Sequence, residues 1–148
     1  MPLEPSFVGR SYPPSSPYLV GREKVREFAV AIGATDPIHH DPAAARAAGY
    51  PDVVAPPTFP IVITMASTER IVTDPQLGVD YTRVVHGDQR FRYARPVVAG
   101  DELVCVDSID DIVSRSGHDF LTTRTEVATM SGEPVVTVWM KLVVRGED

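Results

Sequence analysis

Two carboxylates and two adjacent imidazoles fall between Asp36 and Asp41, in Asp36-Pro37-Ile38-His39-His40-Asp41. An acid beside a histidine is suited to moving protons to and from water. The imidazole titrates near neutral pH, and the carboxylate shares or directs its proton. His39 and Asp36 are therefore the first candidates for acid–base work. Their neighbours read as structural: Asp41 stands before Pro42 and an alanine-rich run, the pattern of a helix cap, with His40 exposed beside it. The four side chains also permit a metal-site reading, but no second ligand cluster supports it, and no metal is expected.

These residues lie between two helical patterns. In "GREKVREFAVAIG", Val25, Phe28, Ala29 and Ile32 recur at helical spacing, and Gly33 ends the helix. "DPAAARAAG" reads as a second, short helix capped by Asp41 and ended by Gly49. A third follows, with Thr58 as its cap, Pro60 in its first turn and Ile61 to Ala66 apolar on nearly every face; such a helix needs wrapping by other structure. The first twenty residues, rich in proline, predict an extended arm.

After about residue 80 the period changes to two. Val85, Gln89, Phe91 and Tyr93 alternate with Val84, Asp88, Arg90 and Arg92, and three further β-branched runs follow across glycine turns. The implied class is α+β, with helices on one face of an antiparallel meander. One central helix wrapped by a curved antiparallel sheet is the hot-dog arrangement, which period and order alone do not single out.

A resemblance narrows it. "DPIHHDPAAARAAGYPDVVAPPTF", with "GREKVREFAVAIG" before it and "RFRYARPVVAGDELV" after it, resembles the MaoC-like (R)-specific enoyl hydratase and hydroxyacyl dehydratase family. In look it is nearest the short actinobacterial proteins related to mycobacterial (3R)-hydroxyacyl-ACP dehydratase subunits. The resemblance runs from about Tyr12 to Val144. It implies a single hot-dog domain over 1–148 with 1–20 as its arm, and a dimer, homotypic or with a related subunit, whose sites form at the interface. It also implies an acyl-CoA or acyl-ACP substrate in fatty acid metabolism, with no cofactor.

The family's motif, Gly-Asp-x-Asn-Pro-(Leu/Ile)-His, falls on Gly33 to His39. His39 matches the catalytic histidine. Ala34 occupies the catalytic aspartate position, and Asp36 stands two residues later. The family opens its central helix with His-Gly, whose glycine N–H binds the thioester carbonyl. Here Ala55-Pro56-Pro57-Thr58 stands instead, and proline has no N–H. The next donors are Thr58 and Phe59.

Two functions follow. In the first the chain is a dehydratase or hydratase, a lyase in which His39 and Asp36 handle water and a helix-end N–H polarises the thioester. In the second it is a non-catalytic acyl-binding subunit of a heterodimeric dehydratase. A thioesterase fits less well, since Glu69 is the only acid near the central helix. His86 and Arg90 are candidates for substrate contact, with Arg92 and Arg95 beside Arg90. The Ile61–Met65 run suits either an acyl tunnel or plain burial.

Bulk properties agree with a cytoplasmic protein. The 148 residues carry a net charge of −6, which disfavours binding to nucleic acid or an anionic membrane. The lone Cys105 makes no intrachain disulfide, and the N-terminus lacks the continuous apolar core of a secretory signal.

Overall fold

A computed structural model describes residues 2–147; Met1 and Asp148, the ends of the expected domain, lie outside the described residues. The elements in order are β1 (Tyr18–Leu19), α1 (Arg22–Ile32), α2 (Pro42–Ala47), α3 (Ile61–Val72), β2 (Val84–Tyr93), β3 (Glu102–Arg115), β4 (His118–Thr129) and β5 (Pro134–Val144). The strands form one antiparallel sheet in the order β1-β3-β4-β5-β2. It curls around α3 as a half-barrel, the hot-dog fold.

The loop carrying the histidines is fixed at both ends by local chemistry. Gly33 ends α1 at φ 73°, and the Ala34 N–H turns back to Ala29 O at 2.8 Å. Asp41 caps α2 by accepting from the Ala43 N–H. Val53–Ala55 then runs beside Val97–Ala99, with Ala55 N–H donating to Val97 O (2.8 Å) and Ala99 N–H to Val53 O (3.0 Å).

The core has two apolar halves with a polar layer between them. Phe59, packed edge-on against Phe28 at 5.4 Å, belongs to the half with Ile63, Leu103 and Val138. Ile71, Ile109, Leu121 and Leu142 make the other. Between them the fully buried Asp107 carboxylate accepts from Thr125 Oγ1 (2.6 Å), from Arg70 Nη2 (2.8 Å) and from Ser67 Oγ. Arg70 also donates to Pro13 O in the arm. Four segments thus meet at one carboxylate.

α3 departs from expectation in two ways. Its N-cap is Pro60 with no side-chain cap, because a turn through Pro56–Phe59 leads into it; Thr58 does not cap. Its buried face carries Thr64, Ser67 and Thr68, of which Ser67 reaches Asp107 and Thr68 bonds back to Thr64 O at 2.8 Å, whereas Met65 is 57% exposed. The helix is therefore not apolar on every side, nor wrapped on every side.

The strand alternation is also corrected at one place. A bulge between His86 and Asp88 inserts Gly87, so Val84 and His86 share the inner face with Gln89, Phe91 and Tyr93, while Val85 turns outward. Gly87 fits because a Cβ there would stand 3.0 Å from Val143 Cγ2.

After a short helical turn over Pro5–Phe7, the N-terminal segment runs along the outer edge of β3. Gly9 and Tyr12 N–H donate to Ile109 O and Asp107 O, and Ser15 N–H to Cys105 O. Tyr12 also donates through its hydroxyl to Asp74 (2.8 Å), which Arg10 contacts at 3.0 Å. The Tyr12 hydrogen bond, then the Gln76 N–H and Arg10, hold the Asp74 carboxyl below its usual pKa, while burial and Asp74 push Tyr12 up to about 12. A depressed folded pKa gives stability that is present above the unfolded pKa and lost as pH falls through the folded one. Asp74→Asn is therefore expected to melt lower than wild type at pH 7. Melting followed against pH should show that gap closing below about pH 4.

Candidate active site

His39 ends a short turn, Pro37–His39, which Asp36 caps by accepting from the Ile38 N–H at 3.1 Å. The ring is buried, and its Nδ1 lies 2.5 Å from Val54 O. A carbonyl only accepts, so Nδ1 carries a proton, and in a neutral ring the free lone pair is the one on Nε2. The neighbouring Val54 N–H donates to Ile38 O at 2.9 Å, so the turn is stapled to the Val53–Ala55 segment twice. His39 borders a small apolar cavity of about 310 Å³ with Ile38, Val54, Pro57 and Tyr93.

Tyr93, the last residue of β2, was not singled out from sequence as a site residue. Its hydroxyl donates to Pro57 O at 2.6 Å, and burial raises its pKa far above the usual phenol value, so it remains a donor. Its alternation with Phe91 marked it as inward-facing, but nothing in the sequence paired it with Pro57.

Other candidates have different fates. The Asp36 side chain is exposed and occupied by its own turn; its recorded partner is Ile38, not His39. His40 Nε2 donates to Ala34 O at 2.7 Å, and Asp41 caps α2, so the adjacent acids and imidazoles do not converge. Among the described residues no group of three or more His, Cys, Asp or Glu side chains is arranged to hold a metal. Phe59 is corrected as a donor: its N–H is occupied by Pro56 O at 2.8 Å and its ring lies in the core. Thr58 is exposed, and among the described residues its N–H has no protein acceptor, which leaves it as the first open donor at the head of α3.

His86 lies at the other end of β2, away from His39. Its Nε2 is 2.9 Å from Gln89 Oε1, and it lines a groove of about 510 Å³ with Met65, Val72, Val84 and Met140, between α3 and the β2–β5 edge of the sheet. Arg90 is on the outer face, its guanidinium 4.1 Å from the Trp139 ring centroid, with Arg92 at 5.2 Å. Neither faces the His39 cavity. Arg95 is held by Asp101 and Glu133, which raise its pKa further, so it is not open to a phosphate.

The family described as "FAS1-like, dehydratase domain region" matches residues 6–138. The chain belongs to that family of MaoC-like hot-dog dehydratase domains. A UPF0336 protein of Saccharopolyspora erythraea is 58% identical to this FAS1-like chain over 146 residues, 99% of this chain and 94% of that one. Another UPF0336 protein, SCO4636 of Streptomyces coelicolor, is 55% identical over 148 residues, covering 100% and 99%. Among solved structures, a MaoC-like dehydratase superposes with a TM-score of 0.89 at 38% identity over 97% of this chain. The chain spans only 43% of that protein. The C-terminally truncated HadBC (3R-hydroxyacyl-ACP dehydratase) complex of Mycobacterium tuberculosis superposes with a TM-score of 0.83 at 32% identity, covering 93% and 96%. Among the described residues no helix of this FAS1-like domain is long and apolar enough to cross a membrane.

Proposed function

We propose that the chain is the acyl-binding subunit of a (3R)-hydroxyacyl thioester dehydratase, working beside a related hot-dog subunit that carries the complete motif. The observation that carries this reading is the isolation of His39. Its imidazole is anchored correctly for a base, but Ala34 supplies no carboxylate and Asp36 spends its own on a turn cap. The head of α3 lacks an N–H at Pro57 as well. A dehydratase needs the base, a relay for the second proton and donors for the developing enolate; this chain offers one of the three unambiguously. The similarity to the HadBC complex supports a paired arrangement, and the apolar cavity and groove suit an acyl chain.

The retained His39 favours a second reading, in which the chain hydrates enoyl thioesters by itself with Asp36 and the Thr58 N–H assisting. Loss of enoyl absorbance with crotonyl-CoA and longer (2E)-enoyl-CoA separates the two. We expect the purified chain alone to show no turnover, and activity to appear on adding a complete-motif subunit. In that mixture His39→Ala should leave the rate within about threefold. Turnover by the chain alone that His39→Ala abolishes would make the second reading correct.

A further inference from the structure

At the head of α3, Pro56, Pro57 and Pro60 have no N–H, and the Phe59 N–H is taken by Pro56 O. The Thr58 N–H, which has no protein acceptor among the described residues, is the donor this turn has left. Its direction decides what the head of α3 offers a ligand, and a neighbour sets that direction. The Thr58 N–H shares a peptide plane with Pro57 O, and in a trans peptide the two point opposite ways. Pro57 O is held by the Tyr93 hydroxyl at 2.6 Å. Tyr93 and Pro57 both line the His39 cavity, whereas Thr58 is not among its lining residues. We propose that the Tyr93 hydroxyl is a catch: it keeps the carbonyl of this peptide on the cavity side and turns the Thr58 N–H away, so that α3 gives the cavity no donor.

The peptide has one other arrangement. Pro56 to Phe59 form a turn closed by the Phe59 N–H on Pro56 O at 2.8 Å, with Pro57 and Thr58 in the middle. The proline ring fixes φ at 57, so the freedom left is a flip of the Pro57–Thr58 peptide, which converts a type I turn into type II. A flip would carry the Thr58 N–H to where Pro57 O now stands, facing Tyr93. Two features oppose it. A type II turn needs a positive φ at its third residue, which a β-branched side chain resists; among the described residues Ser116 is the one non-glycine residue with positive φ. Tyr93 supplies the second, because a flip would replace its acceptor with an N–H and set donor against donor.

Burial holds the phenol far above its usual pKa, so the hydroxyl keeps the proton it donates. Tyr93 is thus a positioning residue: it acts on a ligand through the peptide it holds. This deepens the reading of the chain as an acyl-binding subunit and rests on it. The donor lost at Pro57 is matched by the next one being turned aside, and the wall that remains suits an apolar chain better than a thioester carbonyl.

Nuclear magnetic resonance on isotope-labelled protein tests the catch, with circular dichroism confirming that each variant folds. In a flipped peptide the Pro57 Hα lies close to the residue 58 amide proton; in the present one it does not. That contact is expected to be weak in wild type. It should stay weak in Thr58→Gly, where glycine permits the flip but Tyr93 still holds the carbonyl. It should become strong in Thr58→Gly/Tyr93→Phe, where neither restraint is left. The probe for the second arm is (2E)-octenoyl-CoA. In wild type it should shift amides that border the cavity and the groove, such as those of Val54 and Val84, and leave the Thr58 amide in place. In the double variant the residue 58 amide should shift too, and Kd should fall about threefold to tenfold relative to Thr58→Gly, the worth of one further hydrogen bond. A strong contact in wild type, a flip in Thr58→Gly with Tyr93 intact, or a double variant that does not flip overturns the catch and leaves the acyl-binding reading standing. So does a Thr58 amide that follows the ligand in wild type, or a flipped amide that ignores it. Amides that stay still in every protein overturn the acyl-binding reading, and the role of the catch with it.

Discussion

Ala34→Asp combined with Pro57→Gly is expected to raise (2E)-enoyl thioester hydration by the chain alone by about 10²–10⁴-fold. The argument is local. Ala34 is pinned by its own backbone, its N–H on Ala29 O and its carbonyl receiving His40 Nε2. A side chain added there projects from a fixed wedge three residues ahead of the His39 turn. The His39 Nδ1–H is already held by Val54 O, so Nε2 is the nitrogen left for base work. Glycine at 57 adds the missing N–H while keeping the carbonyl that Tyr93 holds. Each single change should give far less, because a base without an oxyanion donor, or the reverse, completes only part of the site. Adding His39→Ala to the double variant should return the rate to background. A folded double variant that stays inert would show that the loop path, and not the missing groups, keeps the chain silent.

Asp107→Ala is expected to destabilise the fold by about 3–5 kcal/mol. For a chain of this size that lowers the melting temperature by roughly 6–20 °C. The carboxylate is fully buried and receives Ser67, Arg70 and Thr125. Removing it leaves the buried Ser67 and Thr125 hydroxyls without their acceptor and takes one partner from the part-exposed Arg70 guanidinium, which keeps Ser67 O and Pro13 O. Asp107→Asn, which keeps one acceptor oxygen, should fall between. Calorimetric melting of the three proteins gives the order directly, and an Asp107→Ala protein as stable as wild type would show that the polar layer contributes nothing.

The fold was readable where one local rule governs each element. The spacing of Val25, Phe28, Ala29 and Ile32, the Asp41-Pro42 cap and the glycines at 33 and 49 mark α1 and α2 without reference to the rest of the chain. The long strands show themselves by alternation. The reading fails where distant residues decide. Gly87 shifts the phase of β2 because of its contact with β5, and alternation alone assigns Val84 and Val85 to the wrong faces. Thr58 has a capping side chain, yet the Pro56-Pro57 turn starts the helix later. Asp107, Ser67 and Arg70 are scattered polar residues in sequence; only the sheet wrapped on α3 brings them together. The site divides in the same way. His39 carries its own turn signal in Asp-Pro-Ile-His, whereas Val54 and Tyr93 reach it from other segments.

The arm has a consequence for assembly. A sheet of this kind has two borders, and a border with bare amides recruits further strands without limit. Here the N-terminal residues are laid along β3 from Ile109 to Glu102, so one border is already satisfied by the chain's own backbone. Among the described residues β2 has no such strip along its outer edge. A chain cut before Tyr18 would bare β3 from Glu102 to Ile109 as well, and a sheet with two bare borders is what open-ended strand addition, the route to fibres, requires.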